Sequence, residues 1–316
     1  MGARLLSLIW FVATLSFVLV MLSPVDPVNA YVGADLARVG PEQRERIAAR
    51  WGLNDPPLTR YFRWLGRVAR GDLGTSMIYN RPVADVIGER FGASLALMGS
   101  AWIVTGILGF ALGVTAAASP WKWLDHLLRW YSYILSSLPT FWMGMLLLLI
   151  FAVWLRVSPA CCATPPGVPL AQVTLADRLR HLALPVATLA VLGVANLTLH
   201  TRQKMLDVLD SEYARFARAR GESQWGVVWH HGLRNAAIPA VTLQFASFSE
   251  LFGGAVLAET VFAYPGLGGA AVQAGLRSDV PLLLGIAIFT AVFVFVGNRL
   301  ADVVSRRLNP RWQVGE

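Results

Sequence analysis

The chain has 316 residues, of which 55% are hydrophobic and 15% are charged. Because ordinary soluble domains carry about 25% charged residues, this composition excludes a typical soluble protein and indicates an integral membrane protein. The formal net charge of +8 arises mainly in segments that we expect on the cytoplasmic face. It therefore indicates topology and contact with anionic membrane lipid, and it gives no reason to expect nucleic acid as a partner.

Six segments are apolar over roughly the 20 residues that a helix needs to cross a bilayer. They cover residues 5–22, 93–118, 130–155, 182–199, 236–258 and 280–298. None alternates like a barrel strand, so the sequence predicts an all-α integral membrane protein with six transmembrane helices. The first segment could instead be a secretory signal ending at Ala30. Its apolar run exceeds the usual stretch of about 7 to 15 residues, which favours a membrane helix.

Lysine and arginine residues set the predicted orientation. Most of those in the short loops fall on one side of the membrane, and cytoplasmic loops carry such an excess. Both the N-terminus and the C-terminus are therefore expected in the cytoplasm. The predicted organisation is a first transmembrane helix (1–23), a periplasmic helical region (24–92), a membrane core with helices two to six (93–305) and a cytoplasmic tail (306–316).

The predicted periplasmic region contains short amphipathic helices. One begins at Pro41, and a second places Tyr61, Trp64, Leu65 and Val68 at i, i+3, i+4 and i+7, which is one face of a helix. Residues 79–92 predict a third short helix that leads into the second span. The region has too few apolar residues for an independent core, so we expect a small cap on the outer mouth of the protein.

Prolines and glycines punctuate the predicted spans. We expect Pro139, Pro185 and Pro239 to interrupt or open helices. Five glycines are expected to be small packing positions, as such residues commonly are in membrane helices: Gly113, Gly144, Gly193, Gly253 and Gly254.

The two cysteines, Cys161 and Cys162, are adjacent in a predicted outer loop. A vicinal pair is a poor candidate for a structural disulfide, and two thiols without nearby histidines make a weak metal site. We therefore expect both to be tolerated loop residues.

Sequence signatures of ATP hydrolysis and of common hydrolytic enzymes are absent. The only lysines, Lys122 and Lys204, do not follow glycine, so the phosphate-binding loop cannot be present. The H-E-x-x-H zinc signature and the G-x-S-x-G nucleophile elbow are also missing. We expect no enzymatic activity, no catalytic residue, no metal site and no cofactor bound by this chain.

A polar stretch, residues 212–239, stands between the fourth and fifth predicted spans with the sequence EYARFARARGESQWGVVWHHGLRNAAIP. Tyr213, Phe216 and Ala217 share one predicted helical face, and Gly221 follows as a C-terminal cap. A second helical pattern joins Trp225, Val228, Trp229, Gly232, Leu233 and Ala236. His230 and His231 point about 100 degrees apart on such a helix, so we expect surface or docking residues. Two interpretations remain: interfacial helices lying on lipid, or a docking element for a soluble protein.

The stretch resembles the EAA loop of permease subunits in bacterial ATP-binding-cassette importers. The general pattern is E-A-A, three residues, Gly, nine residues and I-x-L-P, and here Ala217, Gly221 and Leu233 match it. Arg215, Phe216, His231 and Arg234 depart from it. The surrounding sequence is similar to the dipeptide, oligopeptide and nickel branch of the family, in which E-Y-x-x-x-A-R-A-K/R-G and H-x-L-R-N-A-x-x-P are common. Further stretches in the same order extend this resemblance over nearly the whole chain.

The resemblance implies a type I importer permease that acts with several partners. These are a second homologous permease subunit, expected in a heterodimer, two ATPase subunits that bind ATP and Mg²⁺, and a periplasmic solute-binding protein. It places the ATPase-coupling loop at residues 205–237. The residues expected to act there are Glu212, Tyr213, Arg215, Ala217, Arg218, Gly221, Glu222, Trp225, Trp229, Leu233 and Arg234. The expected location is the bacterial inner membrane, with multiple passes.

The translocation pathway is expected around Glu250, the only charged residue within the six spans. Glu250 could line the pathway, pair at a subunit interface, or be protonated and passive. Further pathway candidates are Gly253, Gly254, Phe262 and Tyr264. The solute is a di- or oligopeptide, or nickel or a metal chelate, and the acid at this position shifts the expectation towards a chelate. A proton-coupled secondary transporter or a non-transporting scaffold are the alternatives, although one deep acid is few for proton coupling.

Overall fold

A computed structural model of the chain describes residues 2–22, 40–50 and 54–308. Within these residues nearly all regular structure is helical, and the one β pairing is an isolated bridge between Thr75 and Pro82. In chain order the described helices are α1 (Gly2–Met21), α2 (Pro41–Arg50), α3 (Pro57–Val68), α4 (Val83–Ala118), α5 (Lys122–Ser136), α6 (Thr140–Leu147), α7 (Leu175–Leu209), α8 (Glu212–Ala219), α9 (Gln224–Val227), α10 (Leu233–Ala246), α11 (Phe248–Val261), α12 (Leu267–Leu276) and α13 (Val280–Leu308). Two π-helical stretches, Leu148–Trp154 and Val228–Gly232, extend α6 and join α9 to α10.

Four of the described helices, α1, α4, α7 and α13, are long and apolar enough to cross a membrane. Two bent pairs, α5 with the extended α6 and α9–α10 with α11, raise the number to six if each pair forms one span. This agrees with the six predicted segments and with an all-α membrane protein.

The third predicted segment is bent instead of straight. Residues 122–136 and 140–154 meet at 108°, and Pro139 lies directly before α6. Proline has no N–H to continue a helix and drives the preceding residue out of the helical region. The interruption expected at Pro139 is therefore confirmed, although its sharpness was not visible in the apolar run.

The fifth predicted segment is also broken, but at a different residue from the one expected. The bend of 59° lies at Ser247, between α10 and α11, whereas Pro239 lies inside α10 and Pro185 lies inside α7. The prediction that these two prolines interrupt or open helices was wrong. Membrane helices tolerate proline because neighbouring groups and local adjustments satisfy the freed backbone carbonyls.

The expected periplasmic helices are found at α2 and α3. The third one, predicted at residues 79–92, is not a separate element, because α4 runs without a break from Val83 to Ala118. The described chain forms two compact units, one of residues 1–93 with 265–295 and one of residues 94–264 with 296–316.

The first unit has an apolar cluster in which α1, α3 and α13 meet. Phe17 of α1 stacks on Trp64 of α3 with ring centroids 5.6 Å apart, and Leu284 and Ile288 of α13 complete the buried cluster. A hydrogen bond of 2.7 Å joins Thr14 to the hydroxyl of Tyr61. The predicted apolar face of α3 thus packs on membrane helices.

Asp279 fixes the start of α13 in the same unit. Its carboxylate is fully buried and accepts hydrogen bonds from the Ser76 hydroxyl (2.5 Å) and from the Ile78 amide (2.9 Å). The amide of Leu282 donates to it as well (3.2 Å), so Asp279 also caps the first turn of the helix. One carboxylate therefore ties the 75–82 turn to the last long helix.

The second unit is built around α7, which packs against α5, α6, α10 and α11. Thr174 and Asp177 form a capping box that starts α7. The Thr174 hydroxyl accepts from the Asp177 amide, and the Asp177 carboxylate accepts from the Thr174 amide, so two free N–H groups of the first turn are satisfied. A Cβ added at Gly113 of α4 would lie 2.6 Å from the Cβ of Thr201, and one added at Gly193 would lie 2.8 Å from the side chain of Thr105. The prediction of packing positions is confirmed for these two glycines, and it is wrong for Gly253, where nothing lies within 4 Å of an added Cβ.

The adjacent cysteines form a disulfide, contrary to the prediction. Cys161 is bonded to Cys162, whose backbone has φ +73°, and the Cys162 amide donates to the Phe262 carbonyl (2.8 Å). The His181 ring donates to the Cys161 carbonyl (2.8 Å). The left-handed backbone of Cys162 lets the chain close the small ring between two adjacent cysteines. The hydrogen bonds with Phe262 and His181 hold the loop in place.

Candidate functional site

The polar 212–239 segment forms a helix, a glycine turn and a second helix. The hydroxyl of Ser211 caps α8 by accepting from the Ala214 amide, and α8 ends at Ala219, followed by Arg220 and by Gly221, which has φ +90°. Ser223 then caps α9, and the π-helical stretch carries the chain without a gap into α10. Only glycine enters the left-handed region without strain, so Gly221 permits the tight reversal that the sequence pattern predicts.

One face of the 212–239 segment is locked into the second unit. Ala214, Ala217, Val227 and Val228 are all buried. They belong to an apolar cluster with residues of α4 and α7, namely Val114, Ala118, Met205 and Leu209. Leu233 packs against this cluster. Small and β-branched side chains let the short helices approach closely, so movement of the segment must move α4 and α7 with it.

Polar contacts strengthen the attachment. Arg218 donates to the Leu209 carbonyl at the end of α7 (2.5 Å), and Gln224 donates to the Ala118 carbonyl at the end of α4 (3.3 Å). Both acceptors lie in the last residues of long helices, where carbonyls lack helical partners. Arg218 is thus an anchoring residue within the chain, whereas the sequence suggested a residue at the rim of a partner contact.

The opposite face of the segment exposes large aromatic side chains. Tyr213 is 46% exposed, Phe216 65%, Trp225 54% and Trp229 70%. The sequence pattern placed these aromatic residues on the same helical faces as Ala217, Val228 and Gly232. In the structure the aromatic members of each face are exposed, whereas Ala217, Val228 and Gly232 are buried. Residues three positions apart in a helix with 3.6 residues per turn lie about 60 degrees apart around its axis, so Trp225 and Val228 fall on either side of the border between the exposed and the buried surface.

An acid and two histidines meet across the glycine turn. The His230 Nδ1–H donates to Glu222 Oε1 (2.6 Å), and His231 Nε2 lies 3.4 Å from the other carboxylate oxygen. The hydrogen bond from His230 is the main cause that lowers the pKa of Glu222. No cluster of three or more metal-ligating side chains is found in the part of the chain that the structure describes. Both histidine rings therefore contact the carboxylate of Glu222.

Glu212, Arg215 and Arg234 of the segment are exposed, so their charged groups are free to meet solvent or another protein. Arg220 lies over the ring of Phe216 at 5.9 Å. The exposed face consequently combines aromatic surface with positive charge, a composition typical of protein interfaces.

A cavity of about 470 Å³ lies in the second unit, between α7 and the α10–α11 bend. Its lining includes Asn196 and His200 of α7, Ser247 at the bend, and Glu250 and Gly254 of α11. The bend at Ser247 places Glu250 in the first turn of α11, where its side chain faces the cavity. Glu250 thus lines a cavity within the chain, and its place on the translocation pathway stays a prediction.

Comparison with known proteins identifies the chain. Residues 109–314 match the family described as "Binding-protein-dependent transport system inner membrane component". The oligopeptide transport system permease protein AppB of Bacillus subtilis is 34% identical over 95% of this chain and 93% of its own length. The chain belongs to this family of importer permeases. It is accordingly a multi-pass protein of the inner membrane and a transport component that works with ATPase subunits and a binding protein.

Two further comparisons agree with this permease family. The di/tripeptide transport system permease protein DppB of Pseudomonas aeruginosa is 33% identical over 95% of this chain and 93% of its own. A solved structure, described as an amino acid ABC transporter with histidines, has a TM-score of 0.53 at 15% identity. It covers 71% of this chain and 94% of that one, and it shows that the permease has the fold of this class of transporter.

The remaining predicted pathway residues of the permease are not all in the cavity. Gly253 is exposed with nothing within 4 Å of an added Cβ, and it does not line the cavity. Phe262 is 1% exposed and Tyr264 8%, so their side chains offer little surface to a solute or a partner. Only Glu250 and Gly254 of the predicted set meet there.

Sequence reasoning missed one buried acid of the permease. Glu259 is 1% exposed, and its carboxylate accepts a hydrogen bond from Ser94 at the start of the second unit (2.5 Å). It lies one position beyond the fifth predicted span, so a window extended by one turn would have found it. It ties α11 to α4 and leaves Glu250 as the acid that faces the cavity.

Proposed function

We propose that the chain is the membrane-spanning permease of an ATP-driven peptide importer and that the 212–239 segment receives the motion of the ATPase subunits. The observation that carries the proposal is the two-faced construction of this segment. Its inner face is packed on α4 and α7, and its outer face exposes four large aromatic side chains. Interfacial helices lying on lipid would not need a rigid connection to two long helices.

The mechanical argument concerns the connection between the outer face and the membrane helices. Trp225 and Trp229 offer large, stiff contact area, and such residues dominate binding energy at protein interfaces. A force applied to them passes through the short helix to Val227 and Val228, which are buried against α4 and α7. The Gly221 turn and the Glu222–His230 hydrogen bond hold the two helices at a fixed angle. Arg215 and Arg234 supply charge at the rim.

The substrate follows from the names of the related proteins, which are oligopeptide and di/tripeptide permeases. We therefore favour di- or oligopeptides over nickel or a metal chelate, and the earlier shift towards a chelate has no support beyond Glu250. The cavity of about 470 Å³ is within the usual range of small-molecule sites, roughly 300 to 1,000 Å³. It would form part of the translocation pathway.

The partners belong to the same proposal. A second, homologous permease would complete the pathway, in a heterodimer, and a periplasmic solute-binding protein would deliver the peptide. ATP and Mg²⁺ would be bound by the ATPase subunits, while this chain would bind no cofactor and catalyse no reaction. The 212–239 segment and both termini would lie in the cytoplasm.

The experiment substitutes Gly221→Val in the complete importer, reconstituted in proteoliposomes, and measures peptide uptake and ATP hydrolysis together. A non-glycine residue in the left-handed region costs about 1 to 2 kcal/mol, and a β-branched one is the least tolerated. We expect insertion and hydrolysis to persist while the peptide imported per ATP falls severalfold.

The matched control is Gly71→Val. Gly71 also has positive φ (+83°) and open space around an added Cβ, so the backbone cost is equal, but it lies in the first unit, outside the coupling segment. We expect coupled uptake in this variant. Unchanged uptake in Gly221→Val, or equal loss in both variants, would contradict the coupling role.

A further inference from the structure

The polar side chains that line the cavity beside α7 fall into two groups, those with hydrogen bonds inside the chain and those without. Gln244 donates to the Trp102 carbonyl (2.7 Å), Thr105 lies 3.5 Å from the Ala190 carbonyl, and Ser247 donates to the Gln244 carbonyl (3.1 Å). In contrast, no hydrogen bond or ion pair to a described residue engages the side chains of Thr140, Asn196, His200 or Glu250. A cavity that holds unpaired polar groups beside apolar walls is built to receive a polar ligand.

The charge of the cavity has one sign. Of its lining residues, Glu250 alone is an acid and none is a lysine or arginine. Glu250 also lies in the first turn of α11, where the exposed N–H groups of the helix favour a negative charge. The other titratable lining residue is His200, one helical turn beyond Asn196 on α7. The site therefore attracts a positive group and repels a carboxylate or a phosphate.

The neutral groups fit the same ligand. An ammonium has three N–H donors and no acceptor, so it needs acceptor oxygens. Glu250 supplies two charged ones, and the side-chain oxygens of Asn196 and Thr140 supply neutral ones. The apolar lining, Leu189, Leu192, Leu243 and Leu251, leaves space for uncharged side chains of any shape. The acceptor oxygens thus recognise an ammonium that all such ligands share, and the leucines do not select a particular ligand sequence.

We propose that Glu250, with Asn196 and Thr140, binds the α-ammonium group of the peptide as it crosses the membrane. This inference rests on the proposed peptide importer and deepens it, because it names the chemical group that the pathway recognises. Every linear peptide with an unmodified N-terminus carries that ammonium, so one carboxylate serves peptides of many sequences.

The test measures uptake of a radiolabelled dipeptide by the complete importer in proteoliposomes, with ATP hydrolysis followed in the same samples. Glu250→Gln keeps the size of the side chain and removes its charge, and Glu250→Asp restores the charge. Gly253→Ala is the control, since Gly253 is on the same helix, outside the cavity, with open space for a methyl group. The affinity of the solute-binding protein for the dipeptide is unaffected by these changes, because they lie in another chain.

We expect Glu250→Gln to lower the peptide imported per ATP about tenfold to a hundredfold, as a lost hydrogen bond to a charged group does. Glu250→Asp should recover most of the loss, and Gly253→Ala should match the unaltered importer. Full uptake by Glu250→Gln overturns the proposal, because the charge is then dispensable. A loss that Glu250→Asp does not relieve overturns it as well, because the size of the side chain and not its charge is then what uptake requires. If the unaltered importer shows no ATP-dependent peptide uptake, the proposed function itself fails, and this inference falls with it.

Discussion

The Nδ1–H of His230 donates a hydrogen bond of 2.6 Å to the carboxylate of Glu222, just after the turn that Gly221 makes between the two helices of the 212–239 segment. The contact joins the residue that follows the glycine to the π-helical stretch that carries Trp229. It thereby limits how far the second helix can swing relative to the Gly221 turn. The hydrogen bond is a clamp on the angle at which the exposed tryptophans are presented.

We expect Glu222→Gln to weaken this clamp while the buried inner face stays in place. The amide can still accept one hydrogen bond but has no charge, and the same oxygen cannot serve both histidines. Hydrogen exchange should rise at the amides of residues 222–231 and remain unchanged in α7. A uniform rise throughout the second unit would mean that Glu222 supports the fold as a whole.

The pKa of Glu222 also gives the clamp an expected pH dependence. Because the folded pKa is lowered from the ordinary value of 4.5, chiefly by the hydrogen bond from His230, the stabilisation is fully present above that value. It is lost as pH falls through the lowered pKa. Local exchange in the segment should therefore increase below about pH 4.5 in the unaltered chain and change less in Glu222→Gln. Identical acid profiles for the two proteins would contradict this.

A second prediction concerns the close contact between α4 and α7. A methyl group at Gly113 would lie 2.8 Å from the Thr198 carbonyl oxygen and 3.0 Å from the Arg202 amide, and this backbone cannot move out of the way. We expect Gly113→Ala to destabilise the protein by about 1 to 3 kcal/mol, the usual cost of overpacking. Thermal unfolding in detergent, followed by tryptophan fluorescence, measures the shift.

Gly99→Ala is the control for this substitution. Gly99 is on the same helix, and nothing lies within 4 Å of an added Cβ. Alanine is favoured over glycine in a helix interior by about 1 kcal/mol, so this variant should be neutral or slightly more stable. A gain in both variants would mean that α4 and α7 are further apart than described.

The helical class, the six apolar segments and the helix–glycine–helix segment could be predicted because each depends on residues close together in sequence. Apolar length marks a span, and Gly221 marks a helix end. The exposure of Trp225 could not be predicted, because it depends on which surface of the segment the distant helices α4 and α7 cover. The acid–hydroxyl pair of Ser94 and Glu259 joins residues 165 positions apart, and no local pattern carries that information.

The cavity illustrates the same limit at the candidate site. Glu250 was recognisable as an acid within an apolar run, but its neighbours were not, because Asn196 belongs to a different predicted span and His200 lies one residue beyond that span. The bend at Ser247 directs Glu250 towards them, and serine is not a residue that predicts a break. Pro239, which does predict one, is accommodated within α10. A tertiary arrangement of helices thus decided where the break fell.

A third prediction tests the buried carboxylate of Asp279. Asp279→Ala leaves the Ser76 hydroxyl and the Ile78 amide without their acceptor, and each buried unsatisfied group costs about 1 to 3 kcal/mol. We expect a loss of about 3 kcal/mol or more, seen as a lower unfolding midpoint in detergent. In Asp72→Ala the exposed amide of Gly74 loses its acceptor but regains water, so that control should change little. Equal midpoints for the two variants would show that Asp279 is replaceable.

The fourth prediction uses the fact that Cys161 and Cys162 are the only two cysteines of the chain, so any thiol labelling reports on this pair. Their disulfide belongs in an oxidising compartment, in agreement with the predicted outer loop. In cells with a permeabilised outer membrane, a membrane-impermeant maleimide should not label the protein until a membrane-impermeant reductant is added. The double variant Cys161→Ser with Cys162→Ser should stay unlabelled throughout. Labelling before reduction would contradict the disulfide, whereas labelling only after the inner membrane is lysed would place the loop in the cytoplasm and reverse the topology.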